Sequence, residues 1–252
     1  YPAERRLNGS LAGKLCWFLE GYALSRCSAA LAVSGHVAQY ARARGASRVE
    51  VIYNKVYASR IDPKISRQAE PRRVICVGRL DKGKRQDLLI RAVAATPGLS
   101  LKLIGSGPCE AELRTLAASL GSEERIYFIP RIPNREIFAE YRASDIFAIA
   151  SDHEGFCIPV LEAMACALPC VVCDTPPLPE ILGDCGMVVP KDASAFATAF
   201  SRICSDFRLR ESLGCKARAR ALELDGLLME EKENALYRSL TAKGRLALFP
   251  TQ

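Results

Sequence analysis

The chain has 252 residues, 49% of them hydrophobic, and a formal charge of +7. That suffices for one large or two small domains with buried cores and excludes a disordered chain, and no apolar run reaches the roughly 18 residues of a membrane-spanning helix. Lys and Arg are spread without a long basic block, which sets aside a dedicated nucleic-acid binder and favours small anionic partners.

Residues 1–28 carry Leu7, Leu11, Leu15, Trp17, Phe18, Leu19, Tyr22 and Leu24, predicting a moderately amphipathic helix in need of a partner surface. A strand over 29–33, a helix over 35–44 and a strand over 49–53 follow. Residues 54–62 read as a connector and 63–73 as a polar linker, with the domain boundary near Ala69. The alternation is then regular: strands over 74–77, 101–104, 126–129, 145–150, 170–173 and 187–189, and helices over 84–95, 110–120, 134–143, 159–168 and 192–204. Residues 206–245 are charged and helical throughout, with a break at Gly226. Short connections between alternating strands and helices predict an α/β fold, an open parallel sheet with helices on both faces.

The passage from Ser151 to Asp174 carries the most chemistry. Pro159 suits a first helical turn, where its missing N–H removes a donor without an intrahelical partner. The N–H groups of Phe156, Cys157 and Ile158 would then face the loop mouth as an anion site, with Gly155 permitting close approach. Glu154 and Glu162 would be about 12 Å apart in rise on one straight helix. A retaining glycoside hydrolase pairs its carboxylates at about 5 Å, so that chemistry is not indicated. The alternative is that Glu154 only caps the helix and Glu162 is a solvated side chain.

The unusual residues follow strand ends: Gly78-Arg79, Gly105-Ser-Gly107-Pro108, Arg131, the run from Asp152 to Phe156, and Asp174-Thr175. In open α/β sheets ligands bind at that edge, so these groups should converge on one crevice. Arg79 and Lys84 beside a helix N-terminus suit a diphosphate, whereas either cation alone reads as a solvated surface charge. A Gly-Ser-Gly loop by itself reads equally as a tight turn. His36 is placed on a helix surface, and His153 is either structural or near the ligand.

The eleven cysteines are odd in number and sit in apolar runs (Cys76, Cys170, Cys173) or helical segments (Cys16, Cys166, Cys204). They read as reduced core thiols of a cytoplasmic protein. Cys170 and Cys173 have half the spacing of a zinc knuckle, but no second pair follows, so no metal site is expected. No signal peptide heads the chain, and its start at Tyr1 reads as that of a processed or excised fragment.

With these residues placed, the chain resembles the C-terminal half of the retaining glycosyltransferases of family four, also called group 1, which have the GT-B fold of two facing Rossmann-like domains. The resemblance runs from about residue 29 to 240. It is carried by Val77-Gly-Arg-Leu80 with Lys84-Arg85 and Asp87-Leu-Leu89, and by Ile104-Gly-Ser-Gly-Pro108. Ser144-Asp-Ile146, Ser151, Glu154-Gly-Phe156 and Glu162-Ala-Met-Ala165 continue it, then Leu168-Pro-Cys-Val-Val172, Pro179-Glu-Ile-Leu182 and Gly186-Met-Val-Val-Pro190.

The resemblance implies a metal-independent, retaining, hexosyltransferase-like enzyme that uses a nucleotide-diphosphate sugar such as a UDP- or GDP-sugar, with no other cofactor. Arg79 and Lys84 would bind the diphosphate, helped by Gly155 and the amides of Phe156, Cys157 and Ile158. Glu162 would bind the ribose hydroxyls, Glu154 would lie near the transferred sugar, and Arg131 and Ile132 would face the base. The implied domains are 1–69, a remnant of the acceptor-side domain with the linker; 70–205, the donor-binding domain; and 206–252, helices packing back toward the first.

Three departures stand out. Cys157 and Ala167 occupy positions where the family frequently has Gly, Asn54-Lys55 replaces the usual Asn-Gly, and residues 1–53 resemble only the last elements of the N-terminal domain. The acceptor, whether glycan, lipid or small molecule, would contact the remainder of that domain or a partner chain. The second hypothesis is accordingly a non-catalytic nucleotide-sugar-binding or partner-binding fragment that needs another chain for activity. Peripheral membrane contact at an inner face stays open, and a Rossmann dehydrogenase is disfavoured because no Gly-x-Gly-x-x-Gly opens a helix after the first strand of the regular series.

Overall fold

The computed structural model describes residues 10–64 and 73–248. The boundary expected near residue 69 lies outside the described residues. By Cα packing the chain forms two compact units, Tyr1–Lys55 with Leu224–Gln252, and Val56–Glu223.

The first unit opens with α1 (Leu11–Arg26), capped by the Ser10 hydroxyl, which accepts from the Gly13 amide at 3.0 Å. No residue of α1 is buried, and Leu11, Leu15, Trp17, Phe18, Leu19 and Tyr22 are all exposed. The amphipathic character expected here is absent. At 100° per residue Trp17 and Leu24 fall opposite the stripe of Leu11, Leu15, Phe18 and Tyr22, so the apolar residues do not share one side. Next come β1 (Ala30–Ala32), α2 (Gly35–Ala43) and β2 (Val49–Val51), the two strands pairing in parallel with Ala30 beside Val49.

The second unit is built on six parallel strands: β3 (Arg73–Val77), β4 (Ser100–Ile104), β5 (Ile126–Ile129), β6 (Ile146–Ile149), β7 (Cys170–Cys173) and β8 (Met187–Val189). Their order is β5-β4-β3-β6-β7-β8. All four residues of β6 and of β7 are buried, as their unbroken apolar runs require of central strands covered on both faces. The connecting helices are α3 (Gln86–Ala94), α4 (Glu110–Ser119), α5 (Asn134–Arg142), α6 (Ile158–Ala165) and α7 (Leu178–Leu182). From β3 the chain steps to β4 and β5 toward one edge, then crosses back to β6, β7 and β8 toward the other. With right-handed crossovers this places α3 and α4 on one face and α5 and α6 on the opposite one, the doubly covered sheet that the alternation predicts.

The helix α3 begins later than expected, because Asp81 caps a separate 3-10 turn over Lys82–Lys84 and Arg85 adopts a left-handed backbone, φ 50°. The helix α6 ends before residue 168. Ala167, at φ 60°, donates to the Met164 carbonyl and Leu168 to that of Ala163, a Schellman ending.

After α8 (Ala193–Ser205) comes α9 (Phe207–Glu223), which packs against α6 and α8 through the small and apolar positions Leu213, Gly214, Ala217 and Ala221. By Cα packing α9 groups with the sheet unit, where it carries a buried stripe of its own. The final helix, α10 (Gly226–Leu248), belongs to the first unit, where Glu233 pairs with Lys55 at 2.5 Å. No described helix is long and apolar enough to cross a membrane.

Candidate functional site at the carboxyl edge of the sheet

The strand order reverses between β3 and β6, so the loops leaving these neighbours part in opposite directions and open a crevice at their carboxyl ends. After β3 the chain runs through Gly78 and Arg79 into the Asp81 turn, where one carboxylate oxygen accepts from the Gly83 and Lys84 amides at 3.0 and 3.2 Å. The loop after β6 is tied to that turn by the Asp152 amide, which donates to the Gly83 carbonyl at 2.7 Å. Lys191 lies 2.9 Å from the Asp152 carboxylate.

The glycines of the loop after β4 are not interchangeable with other turn residues. A Cβ at Gly105 would collide with the Gly78 carbonyl, and one at Gly107 with the Leu80 carbonyl. The loop after β4 therefore packs backbone to backbone on the loop after β3.

Between these loops lies a crevice of about 500 Å³, lined by Val77, Gly78, Arg79, Ile104, Gly105, Ser106, Arg131, Ile132, Asn134, Ile137 and Glu162. It brings together four of the residues singled out by sequence: Arg79, Arg131, Ile132 and Glu162. Arg79 is 70% exposed and comes no nearer than 3.7 Å to Asp81, so its charge is available to an anion. Glu162, one turn inside α6, also lines the crevice, and its Oε2 accepts from the Tyr141 hydroxyl at 2.9 Å. Burial raises the Glu162 carboxyl above its ordinary range, while the bond from Tyr141 pulls it back. Burial, and then the Glu162 charge beside it, push the Tyr141 phenol well up.

Lys84, Glu154, Gly155, Phe156, Cys157 and Ile158 stand outside that lining. Lys84 and Glu154 are instead partners, with Nζ 2.5 Å from Oε1 and side chains 26% and 8% exposed. Burial pulls the Lys84 ammonium down, the Glu154 carboxylate pulls it up, and the net is above its ordinary value. Cys157 caps α6 in a left-handed backbone, φ 80°, and burial followed by the Glu154 charge pushes its thiol well up. It is therefore a neutral packing group. His153 is also outside the lining.

Sequence reasoning missed Tyr141, Asn134 and Ile137. The last two face the crevice because α5 begins immediately beyond the loop after β5. Their signal was the strand-end rule itself, applied one turn further along the chain.

Comparison with known proteins gives the family and the fold. Residues 59–220 match the family model described as Glycosyl transferases group 1. A GDP-mannose-dependent alpha-(1-6)-phosphatidylinositol monomannoside mannosyltransferase of Mycolicibacterium smegmatis is 34% identical over 164 residues, 60% of this chain and 43% of that protein. A D-inositol 3-phosphate glycosyltransferase of Corynebacterium jeikeium is 34% identical over 182 residues, 67% of this chain and 43% of that protein. Among solved structures, the sucrose-phosphate synthase of Thermosynechococcus elongatus has a TM-score of 0.82 at 24% identity, covering 96% of this chain and 66% of that one. Anabaena HepE, in complex with UDP and glucose, has a TM-score of 0.81 at 22% identity, covering 90% of this chain and 67% of that one. The chain thus spans 43% of the length of each of these two curated relatives.

Proposed function

Since the chain belongs to the group 1 glycosyltransferases, and its sheet matches the GT-B fold, we propose that it carries the donor-binding half of a retaining transferase that takes its sugar from a nucleotide-diphosphate sugar. The observation that carries this reading is the crevice at the strand-order reversal, which has cationic Arg79 and Arg131 together with the acceptor oxygens of Glu162 on its walls. A nucleoside diphosphate presents complementary groups: two phosphates for the cations and a ribose diol for the carboxylate.

In this reading the departing diphosphate gains negative charge as the glycosidic bond breaks, and guanidinium groups at the sheet edge stabilise it. Arg79 and Arg131 supply that field, because the Lys84 charge is already balanced by Glu154. Glu154, fixed by that pair beside the loop turn, is the carboxylate assigned to the transferred sugar. GDP-mannose and UDP-glucose are the donors to test first, one named for a curated relative and the other bound in a solved neighbour. An inositol-bearing acceptor is proposed from the names of the two relatives.

Calorimetric titration of the chain with GDP and with UDP tests the reading. Saturable binding is expected, weakened by about 1.5–3 kcal/mol in Arg79→Ala. Absence of binding to either nucleotide, or binding indifferent to both Arg79→Ala and Glu162→Ala, overturns it.

A further inference from the structure

We propose that Tyr141 is a positioning residue for the ribose end of the donor: its buried hydroxyl holds Oε2 of Glu162 and leaves Oε1 as the oxygen offered to a vicinal diol in the crevice. The inference rests on the donor-site reading above and adds to it a residue that does not line the crevice.

The geometry is specific. Tyr141 is 0% exposed, and its ring packs against Phe147 and Phe138 at centroid distances of 6.1 and 6.3 Å. A phenol so enclosed needs a partner for its hydroxyl. Its partner is a carboxylate on the crevice wall, 2.9 Å away and 21 residues distant in sequence.

An ionised carboxylate only accepts hydrogen bonds. With one oxygen engaged from behind, Glu162 is restricted in rotation before any ligand arrives, so little ordering remains to oppose binding. The ribose diol donates two hydroxyls, which suits an anionic acceptor already fixed in place. Donation from Tyr141 also favours the ionised form against the effect of burial.

The competing account is that Tyr141 merely satisfies a half-buried glutamate. The two differ in what they predict for nucleotides that lack a ribose hydroxyl. The test measures dissociation constants of GDP and UDP, and of their 2′-deoxy and 3′-deoxy forms, for the 252-residue chain and its Tyr141→Phe, Glu162→Gln and double variants. Expected for the wild type is a preference for the ribonucleotide of about tenfold. Tyr141→Phe should reduce that preference by about threefold or more while leaving affinity for the deoxy forms in place. Glu162→Gln should remove most of it, and adding Tyr141→Phe to Glu162→Gln should change nothing further.

Equal weakening of ribo and deoxy forms by Tyr141→Phe would assign the tyrosine to packing alone and overturn the inference, as would an unchanged ratio. Both leave the donor site standing, because the wild type still binds. Failure of the wild type to bind either nucleotide removes the donor site and this inference together.

Discussion

The ammonium of Lys84 and the carboxylate of Glu154, 2.5 Å apart, join the loop after β3 to the loop after β6 across the line where the strand order reverses. Glu154 is only 8% exposed, so removing its partner strands a charge in a poorly solvated place. Lys84→Ala and Glu154→Ala are each expected to destabilise the fold by about 1–3 kcal/mol. The two should be non-additive, because either change alone already breaks the contact. Urea unfolding of both single variants and the double variant measures the coupling, and full additivity would show that the pair does not hold the loops together. The Lys84 pKa is raised above its ordinary 10.5, so the contribution is intact at neutral pH, is fully present below pH 10.5 and is lost as pH rises through the higher folded value.

What could be read from the chain and what could not divide along a physical line. The parallel sheet was legible because β6 and β7 are continuous apolar runs between helical periods, and the crevice because Arg79, Arg131 and Glu162 follow strand ends or the helix beyond one. Pairings between distant residues were not. Lys84 and Glu154 are 70 residues apart, and each carried a plausible independent role as a ligand for phosphate or sugar. Tyr141 was not singled out, since periodicity reports which side of a helix is buried and not what a hydroxyl meets there. Cys157 and Ala167 gave no backbone signal of their own, and only the family's habit of placing glycine there marked them.

Those two positions yield a prediction about backbone strain. Cys157 and Ala167 hold φ of 80° and 60°, a region that disfavours a Cβ by about 1–2 kcal/mol. At Ala167, glycine relieves that strain but loses a buried methyl worth about 0.8 kcal/mol and adds freedom to the unfolded chain. These terms nearly cancel, so Ala167→Gly should be close to neutral. Ala163→Gly, inside α6 and fully buried, relieves no strain and should lose about 1 kcal/mol or more. Thermal unfolding of the two variants side by side distinguishes them, and an equal loss at both positions would contradict the left-handed assignment of Ala167.

A third expectation concerns a side chain far from the crevice. One terminal nitrogen of Arg125 donates to the carbonyls of Val93, Thr96 and Leu99 at 2.9, 3.2 and 3.0 Å, and the other to Ala94 at 3.2 Å. The guanidinium thus adds donors to carbonyls at the end of α3 and along the connection to β4, where Val93 and Thr96 also accept from the Thr96 and Leu99 amides. Arg125→Ala should destabilise the fold by about 2–3 kcal/mol. Arg125→Lys should recover only part of this, because an ammonium cannot reproduce two nitrogens held in one plane. Chemical denaturation reports both, and full recovery by lysine would reduce the role of Arg125 to simple charge.

The final expectation concerns pH and follows from Glu162, whose carboxyl is raised by burial from an ordinary 4.5 and lowered in part by the Tyr141 bond. A carboxyl raised on folding makes its stabilising contribution below the unfolded value and loses it as pH climbs through the folded one. Above the folded value the wild type therefore holds a charge that burial disfavours. Glu162→Gln keeps an oxygen for Tyr141 without that charge, so its stability relative to the wild type should increase as pH rises from 4.5 through the folded value. Nucleotide affinity should move the other way, because the ionised carboxylate is the better acceptor for ribose hydroxyls. Besides Tyr141, the titratable or charged groups around Glu162 are Cys166 at the end of α6 and Arg79 and Arg131 on the crevice wall. Phosphate ionisation in the ligand alters affinity in the same range and cancels when wild type and Glu162→Gln are compared at each pH. The difference should open as pH rises above 4.5, and in a Tyr141→Phe background, where the Tyr141 bond no longer offsets burial, it should open at higher pH. A difference independent of pH would mean that Glu162 stays ionised throughout and that its burial does not govern the site.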